Sequence, residues 1–228
     1  MIRQFFSREK AKLKEMTFAE KRWYIWEYYK LHIILGAAGI AIVSSMIYTT
    51  FINPPKNDYL YIAWQAGLAP TEMLDNLGER LSVIVEDPER YQVSVRSYTL
   101  GDDPQMNHAL ITRFHAMLSI GEIHAVLTTE EEAEQFAEFG IIASLDEVLT
   151  IVRESKPDLY DAMAERLIAM TFIPDGEEET VTDIMSIHMG GLPIFTELGL
   201  ISDDIFFGVV INARQPYSIV ELLGVFFG

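Results

Sequence analysis

The sequence predicts a membrane-anchored α/β protein, with one N-terminal transmembrane helix followed by a single three-layer domain around a mainly parallel, mixed sheet. Two observations lead to this prediction. Residues 31–52 form a run of twenty-two residues without Asp, Glu, Lys or Arg, long enough for a helix to cross a hydrocarbon core of about 30 Å. Beyond that run, short β-rich segments alternate with segments of helical hydrophobic spacing, which is typical of βα units in a helix-covered sheet.

A buried core helix and a cleaved signal peptide are the alternatives for residues 31–52. A core helix of this length normally has a polar stripe, and a signal peptide has a shorter apolar run that ends in a small-x-small cleavage site. The sequence YTTFINPP at 48–55 contains no convincing site of that kind. We therefore expect an uncleaved anchor that contacts the lipid bilayer through residues 31–52.

The charges on the two sides of this run predict its orientation. Residues 1–30 contain eight Lys or Arg and four Glu, whereas the rest of the chain contains nine basic and thirty acidic residues, 9 − 30 = −21. Because basic flanks stay in the cytoplasm, we expect residues 1–30 to be a cytoplasmic juxtamembrane segment in a single-pass cell-membrane protein. Residues 53–58 are then a linker and residues 59–228 an extracellular domain. The acidic excess argues against nucleic-acid binding, and the absence of cysteine fits export.

The segment before the span predicts a helix that enters the membrane. Thr17 and Glu20 have the spacing of a capping box, so we expect the helix to begin at Phe18. The aromatic residues at 23–29 suit an interfacial belt, and a docking site for a cytoplasmic partner is the alternative. Within the span, small residues recur every four positions and allow another helix to approach, which suggests a membrane-protein partner through Ala37, Ala41 and Ser45.

The extracellular segment is read as alternating strands and helices. Pro54 and Pro55 end the membrane helix because proline cannot continue its hydrogen bonds. We expect Asp102 or Asp103 to cap the helix that begins at Pro104, and Gly140 to end a later helix in the left-handed conformation. In this mainly parallel sheet, the late strands are expected to run antiparallel to their neighbours. The expected strands are 59–64, 92–98, 124–128, 182–188 and 205–212, and the expected helices are 71–85, 104–120, 130–139, 145–152, 157–170 and 217–227.

Three segments resemble parts of a known family. The sequences VLTT at 126–129, GIIASLD at 140–146 and FGVVINA at 207–213 are similar to one lobe of a type II periplasmic (extracellular solute) binding protein. The chain as a whole, with WEYYKLH at 26–32 before the span, also resembles uncharacterised single-pass membrane proteins of Gram-positive bacteria. The first resemblance implies a lobe-like α/β fold and a binding role, and the 173 residues from 56 to 228 barely exceed one lobe of such a protein.

Open α/β sheets bind ligands beyond the carboxyl ends of their strands. This rule predicts one crevice around six residues of the first three strands, with two aromatic rings side by side and hydroxyl groups for hydrogen bonds. The sequence thus predicts an extracellular, non-catalytic binding domain for an unknown ligand. The alternative is a membrane-tethered interaction or accessory subunit of a transporter, sensor or cell-envelope complex. The six candidate ligand-binding residues are Trp64, Gln65, Tyr98, Thr99, Thr128 and Thr129.

The sequence carries no recognisable motif for catalysis, for a metal or for a cofactor. The sequence has no G-x-S-x-G, H-E-x-x-H, Walker or G-x-G-x-x-G motif. His108 and His115 lie on one face of a helix. A solvated polar face is a simpler interpretation of this pair than a metal site. The acidic residues at 130–134 lack EF-hand spacing and suit the first turn of a helix. We therefore expect no catalytic residue, no metal, no cofactor and no enzymatic activity.

Overall fold

The computed structural model describes residues 16–52, 54–101, 103–173, 179–213 and 215–228. The chain divides into two compact units, Met1–Pro55 and Lys56–Gly228. The described part of the first unit is mainly one long helix, and the second unit is an α/β domain with its own core.

Helix α1 runs from Phe18 to Ile47 and continues as a π-helical turn from Tyr48 to Ile52. The predicted capping box is confirmed, because the Glu20 carboxylate accepts hydrogen bonds from the Thr17 N–H and hydroxyl, both at 2.8 Å. Residues Trp26–Ile52 have a mean hydropathy of 1.9, and none of their most apolar stretch is buried. Among the described residues, this is the one helix that is both long enough and apolar enough to cross a membrane. Its exposure distinguishes it from a helix that forms part of a soluble core.

The domain is built on one open, mixed sheet of six strands, with the order β2-β1-β3-β6-β5-β4. β1 pairs in parallel with β2 and β3, while β6, β5 and β4 are joined by antiparallel pairings. Four strands, β1, β2, β3 and β5, consequently run in one direction. The strands are β1 Asn57–Trp64, β2 Tyr91–Ser97, β3 Ala125–Thr128, β4 Leu167–Phe172, β5 Val181–His188 and β6 Phe206–Val209.

Helices cover both sides of the sheet and divide the core into two clusters. The larger cluster contains Leu60, Ile62 and Trp64 of β1, whereas the smaller contains Tyr61 and Ala63. This alternation is the period of two that places successive strand residues on opposite faces. The helices of the domain are α2 Thr71–Leu81, with a 3-10 turn at Ser82–Ile84, α3 Pro104–Ile120, α4 Glu130–Glu138, α5 Asp146–Ser155, α6 Pro157–Ala164, α7 Pro193–Glu197 and α8 Pro216–Phe227.

Local signals predicted several of these elements. The Asp103 side chain caps α3 by accepting hydrogen bonds from the Gln105 and Met106 N–H groups, as expected, whereas Asp102 lies outside the described residues. Gly140 has φ of 63°, which confirms the left-handed end expected after α4. The antiparallel pairing expected of the late strands is also present.

The expectation of a single helix over residues 157–170 was wrong. The helix ends at Ala164, and residues 167–172 form strand β4. The Arg166 carbonyl accepts a hydrogen bond from the His188 N–H at 2.8 Å, at the start of the pairing with β5. The pairing with this next strand of the chain overrides the local helical pattern, since strand formation depends strongly on tertiary context.

Strand β2 forms one edge of the sheet and is covered by α2. Val93, Ser94 and Val95 are buried, and the Val93 N–H donates to the Ser82 hydroxyl at 2.8 Å. Gly78 allows this close approach, because a Cβ there would lie 2.7 Å from the Val93 carbonyl oxygen. The edge is therefore protected against pairing with another strand at these residues.

Candidate binding edge of the sheet

The backbones of the six candidate residues lie together at the carboxyl ends of β1, β2 and β3. Trp64 is in register with Ser97 of β2 and Leu127 of β3. The Tyr98 N–H donates to the Trp64 carbonyl at 2.8 Å, and the Gln65 N–H donates to the Leu127 carbonyl at 2.7 Å. The topology thus brings these segments to one edge of the sheet, called here the carboxyl edge.

The two aromatic side chains at this edge lie on opposite faces of the sheet, not side by side as expected. Trp64 is 2% exposed and belongs to the larger core cluster, with its ring centroid 6.2 Å from that of Phe195. Tyr98 is 3% exposed and belongs to the smaller cluster, with its ring centroid 5.2 Å from that of Phe114. Because Tyr98 follows the residue in register with Trp64, the period of two sends its ring to the other face.

Tyr98 is held by a buried pair of hydroxyl groups. Its hydroxyl lies 2.9 Å from the Tyr61 hydroxyl and 3.0 Å from the Met117 sulfur. Burial, together with the bond to Tyr98, raises the pKa of Tyr61 well above its ordinary value. The Tyr61 phenol is consequently neutral at physiological pH, and the polar atoms of both phenols are used inside the domain.

The loop after β1 is closed by the Gly67 carbonyl. This oxygen accepts hydrogen bonds from the Trp64 indole N–H at 2.8 Å and from the Thr99 hydroxyl at 2.9 Å. Gly67 has φ of 102°, a conformation that glycine adopts without steric cost. The polar atoms of Trp64 and Thr99 therefore link two loops of the carboxyl edge.

The two threonines after β3 are engaged at the start of α4. The Thr128 hydroxyl donates to the Glu132 carboxylate at 2.6 Å, and the Thr129 hydroxyl accepts from the Glu132 N–H at 3.3 Å. The Glu130 N–H donates to the Asp204 carboxylate at 2.9 Å. The spacing of Thr129 and Glu132 matches a capping box, a sequence signal that could have identified this structural role.

Gln65 is the candidate whose side chain retains unused hydrogen-bonding capacity. Its Oε1 atom is buried and has no hydrogen-bond partner among the described residues. A buried acceptor without a partner carries a desolvation cost of about 1–3 kcal/mol. A group that donates a hydrogen bond to this atom would remove that cost.

Four apolar side chains that were not among the candidates are exposed in or beside the loops of the carboxyl edge. Leu68 and Ile201 are 87% and 83% exposed, and Leu100 and Met106 are about half exposed. The loop residues Gly67 and Thr99 are bonded to each other, which keeps Leu68 and Leu100 in adjoining loops. The surrounding exposed acidic residues are Asp103, Glu130, Glu131, Asp203 and Asp204.

A polar cavity of about 440 Å³ lies at the opposite edge of the sheet, called here the amino edge. Its lining includes His124, Asn212 and Gln215. The His124 Nδ1 atom accepts a hydrogen bond from the Tyr61 backbone N–H at 3.1 Å, and burial lowers the pKa of His124. Neutral His124 with its proton on Nε2 fits this bond.

The described residues line a further cavity of about 590 Å³ between α2 and β2. None of the six candidate residues lines either cavity within the described part of the chain. The two exposed histidines of α3, His108 and His115, likewise lie outside both linings. No family model, no curated protein and no solved structure matches the chain.

Proposed function

We propose that the chain is a membrane-anchored accessory subunit whose extracellular domain docks a protein partner without catalysing a reaction. The anchor is the exposed, apolar helix Trp26–Ile52. The eight Lys and Arg residues in the short segment 1–30 support a cytoplasmic N-terminus and hence an exported domain. The domain has two core clusters of its own, as expected of an independently folded unit.

The orientation is tested with protease added to intact, wall-stripped cells. Digestion of residues 56–228 with survival of a membrane-embedded N-terminal fragment is the expected result. Protection of the domain until the cells are lysed would contradict the proposed orientation. An antibody against a tag at residue 228 distinguishes the two outcomes.

The exposed apolar residues of the carboxyl edge are the observation that supports docking. Trp64, Tyr98 and Thr128 are buried there, while Leu68 and Ile201 are almost fully exposed. Exposed apolar patches rimmed by polar residues are typical of protein interaction sites. The acidic rim predicts a partner whose own apolar surface is edged by Lys and Arg, because complementary charges favour association.

Docking is tested in cells by placing a photo-crosslinking amino acid at Leu68 or at Ile201. The same protein is expected to be captured from both positions, and Leu100→Asp is expected to reduce capture without changing the melting temperature. Val83, an exposed apolar residue of the 3-10 turn after α2, is the matched control position. Equal capture from Val83, or no effect of Leu100→Asp, would contradict docking at the carboxyl edge.

A second candidate function is binding of a small solute, and the Gln65 Oε1 atom favours it. The resemblance to one lobe of a solute-binding protein belongs to this candidate. A Gln65→Leu substitution should leave stability unchanged or raise it if the acceptor is unpaired, because the change removes a desolvated polar atom. If a ligand pairs with this atom, protein purified with its ligand should instead have a lower melting temperature after the Gln65→Leu substitution. Mass spectrometry should then find the released molecule in the unsubstituted sample only.

A further inference from the structure

The amino edge of the domain carries a rim of exposed apolar and aromatic side chains around its polar cavity. Tyr217 and Ile120 are 72% and 68% exposed, and Phe139 and Ile211 are also exposed. These residues come from four elements: the end of α3, the end of α4, the segment after β6 and the start of α8. Rims of this kind mark interaction surfaces when they are continuous.

Backbone contacts join the parts of this rim. The Ile211 N–H donates to the Ile141 carbonyl at 3.0 Å, which links the segment after β6 to the end of α4. A Cβ atom placed on Gly121 would lie 3.7 Å from the Asn212 Cβ atom, so the end of α3 lies against the same segment. Ile120 and Ile211 adjoin these two contacting residues. These segments thus meet at the cavity that Ile120, Asn212 and Gln215 help to line, and Phe139 and Tyr217 each lie two residues from a residue of this group, Ile141 and Gln215.

The same edge contains the first residue of the domain's first strand. β1 begins at Asn57, and five peptide steps separate Asn57 from Ile52, the last residue of the π-helical turn. A chain of five residues spans at most about 18 Å when fully extended. The sequence therefore leaves little chain between the apolar helix and this edge.

We propose that the amino-edge rim contacts the lipid surface, with Ile120, Phe139, Ile211 and Tyr217 at the depth of the headgroups. This inference rests on the proposed membrane anchoring. Aromatic and large aliphatic side chains are stabilised at that depth. Glu122 and Glu138 are exposed beside the rim, and the chain beyond residue 30 carries −21. The charge favours zwitterionic lipid, because an anionic surface repels an acidic domain.

The contact is tested with the full chain in nanodiscs of dioleoylphosphatidylcholine. The chain contains no cysteine, so Ile120→Cys, Ile211→Cys and Tyr217→Cys each give one labelling site for a fluorophore. A lipid with a nitroxide on its headgroup quenches fluorophores near the surface. Quenching several-fold stronger at these three positions than at Leu68→Cys and Ile201→Cys is expected. Equal quenching at the two edges, or stronger quenching at the carboxyl edge, would overturn the proposal.

Two further measurements separate this proposal from its premise. Replacing 30% of the lipid by dioleoylphosphatidylglycerol should weaken quenching at Tyr217→Cys, and adding Phe139→Ser and Ile211→Ser should weaken it further while the melting temperature stays the same. Flotation with liposomes tests the anchor alone. A chain that does not float overturns both the anchor and the lipid contact, whereas a floating chain with unquenched amino-edge labels overturns only the contact.

Discussion

The two edges of the sheet differ in how their loops are held. At the carboxyl edge, the Gly67 carbonyl joins two loops, and the Thr128 hydroxyl is bonded to Glu132. At the amino edge, loops surround a polar cavity of about 440 Å³. Fold rules favour ligand binding at the carboxyl edge of parallel strands, yet in this domain the Trp64, Tyr98 and Thr128 side chains at that edge are buried and bonded within the domain. Topology therefore selects a location, whereas the side chains determine whether it is open.

The largest expected effect comes from removing the buried rings of the carboxyl edge. Trp64→Ala and Tyr98→Ala should each lower the free energy of unfolding by about 3–5 kcal/mol, because both create cavities in the core. Urea unfolding of residues 56–228, followed by circular dichroism, measures this loss. Tyr217→Ala is the control, since this exposed tyrosine lies at the amino edge. A loss below about 1 kcal/mol for Trp64 or Tyr98 would mean that the ring is free to bind a ligand.

A smaller effect is expected from the helix cap at the carboxyl edge. Thr129→Ala removes the hydroxyl that accepts from the Glu132 N–H, so the free energy of unfolding should fall by about 1 kcal/mol. The matched control is Thr112→Ala, since the exposed Thr112 hydroxyl bonds within α3 to the His108 carbonyl. Because alanine favours helix interiors, the control should be neutral or slightly stabilising. An equal loss in both variants would contradict a capping role for Thr129.

His124 should make the stability of the amino edge depend on pH. Its pKa is lowered chiefly by burial, while the Glu122 carbonyl and Asp58 act in the opposite direction. The unfolded chain therefore takes up a proton more readily than the folded domain, and stability should fall as pH drops below about 6.5, the ordinary pKa of histidine. Protonation would also prevent Nδ1 from accepting the Tyr61 N–H.

Melting temperatures at several pH values between 7.5 and 5.5 measure this dependence. His124→Gln should reduce the loss of stability on acidification, whereas His108→Gln should leave it unchanged because His108 is an exposed residue of α3. The same pH dependence in the His124→Gln variant would assign the effect to other groups. A rise in stability on acidification would contradict the buried, neutral state of His124.

Local signals predicted the parts of the fold that depend on neighbouring residues. The capping box at Thr17, the cap at Asp103 and the left-handed Gly140 all follow from short-range hydrogen bonding or backbone conformation. Strand β4 did not, because the helical spacing expected over residues 157–170 extends into it and its pairing with β5 overrides that spacing. The candidate edge was located by topology, but the faces of Trp64 and Tyr98 depend on register, which the sequence does not contain.

The exposed carboxyl-edge residues provide the smallest expected effect on stability and the sharpest contrast with the buried rings. Leu68→Asp and Ile201→Asp should each change the free energy of unfolding by no more than about 0.5 kcal/mol, because neither side chain loses contacts with the core. Urea unfolding under the conditions used for Trp64→Ala measures this difference. A loss approaching that of Trp64→Ala would mean that Leu68 or Ile201 supports the core, and the carboxyl edge would then lack a free apolar surface. If stability is unchanged while crosslinking to the partner is lost, the substitutions act on binding alone. The buried residues then maintain the loops of this edge, and the exposed residues beside them form its contact surface.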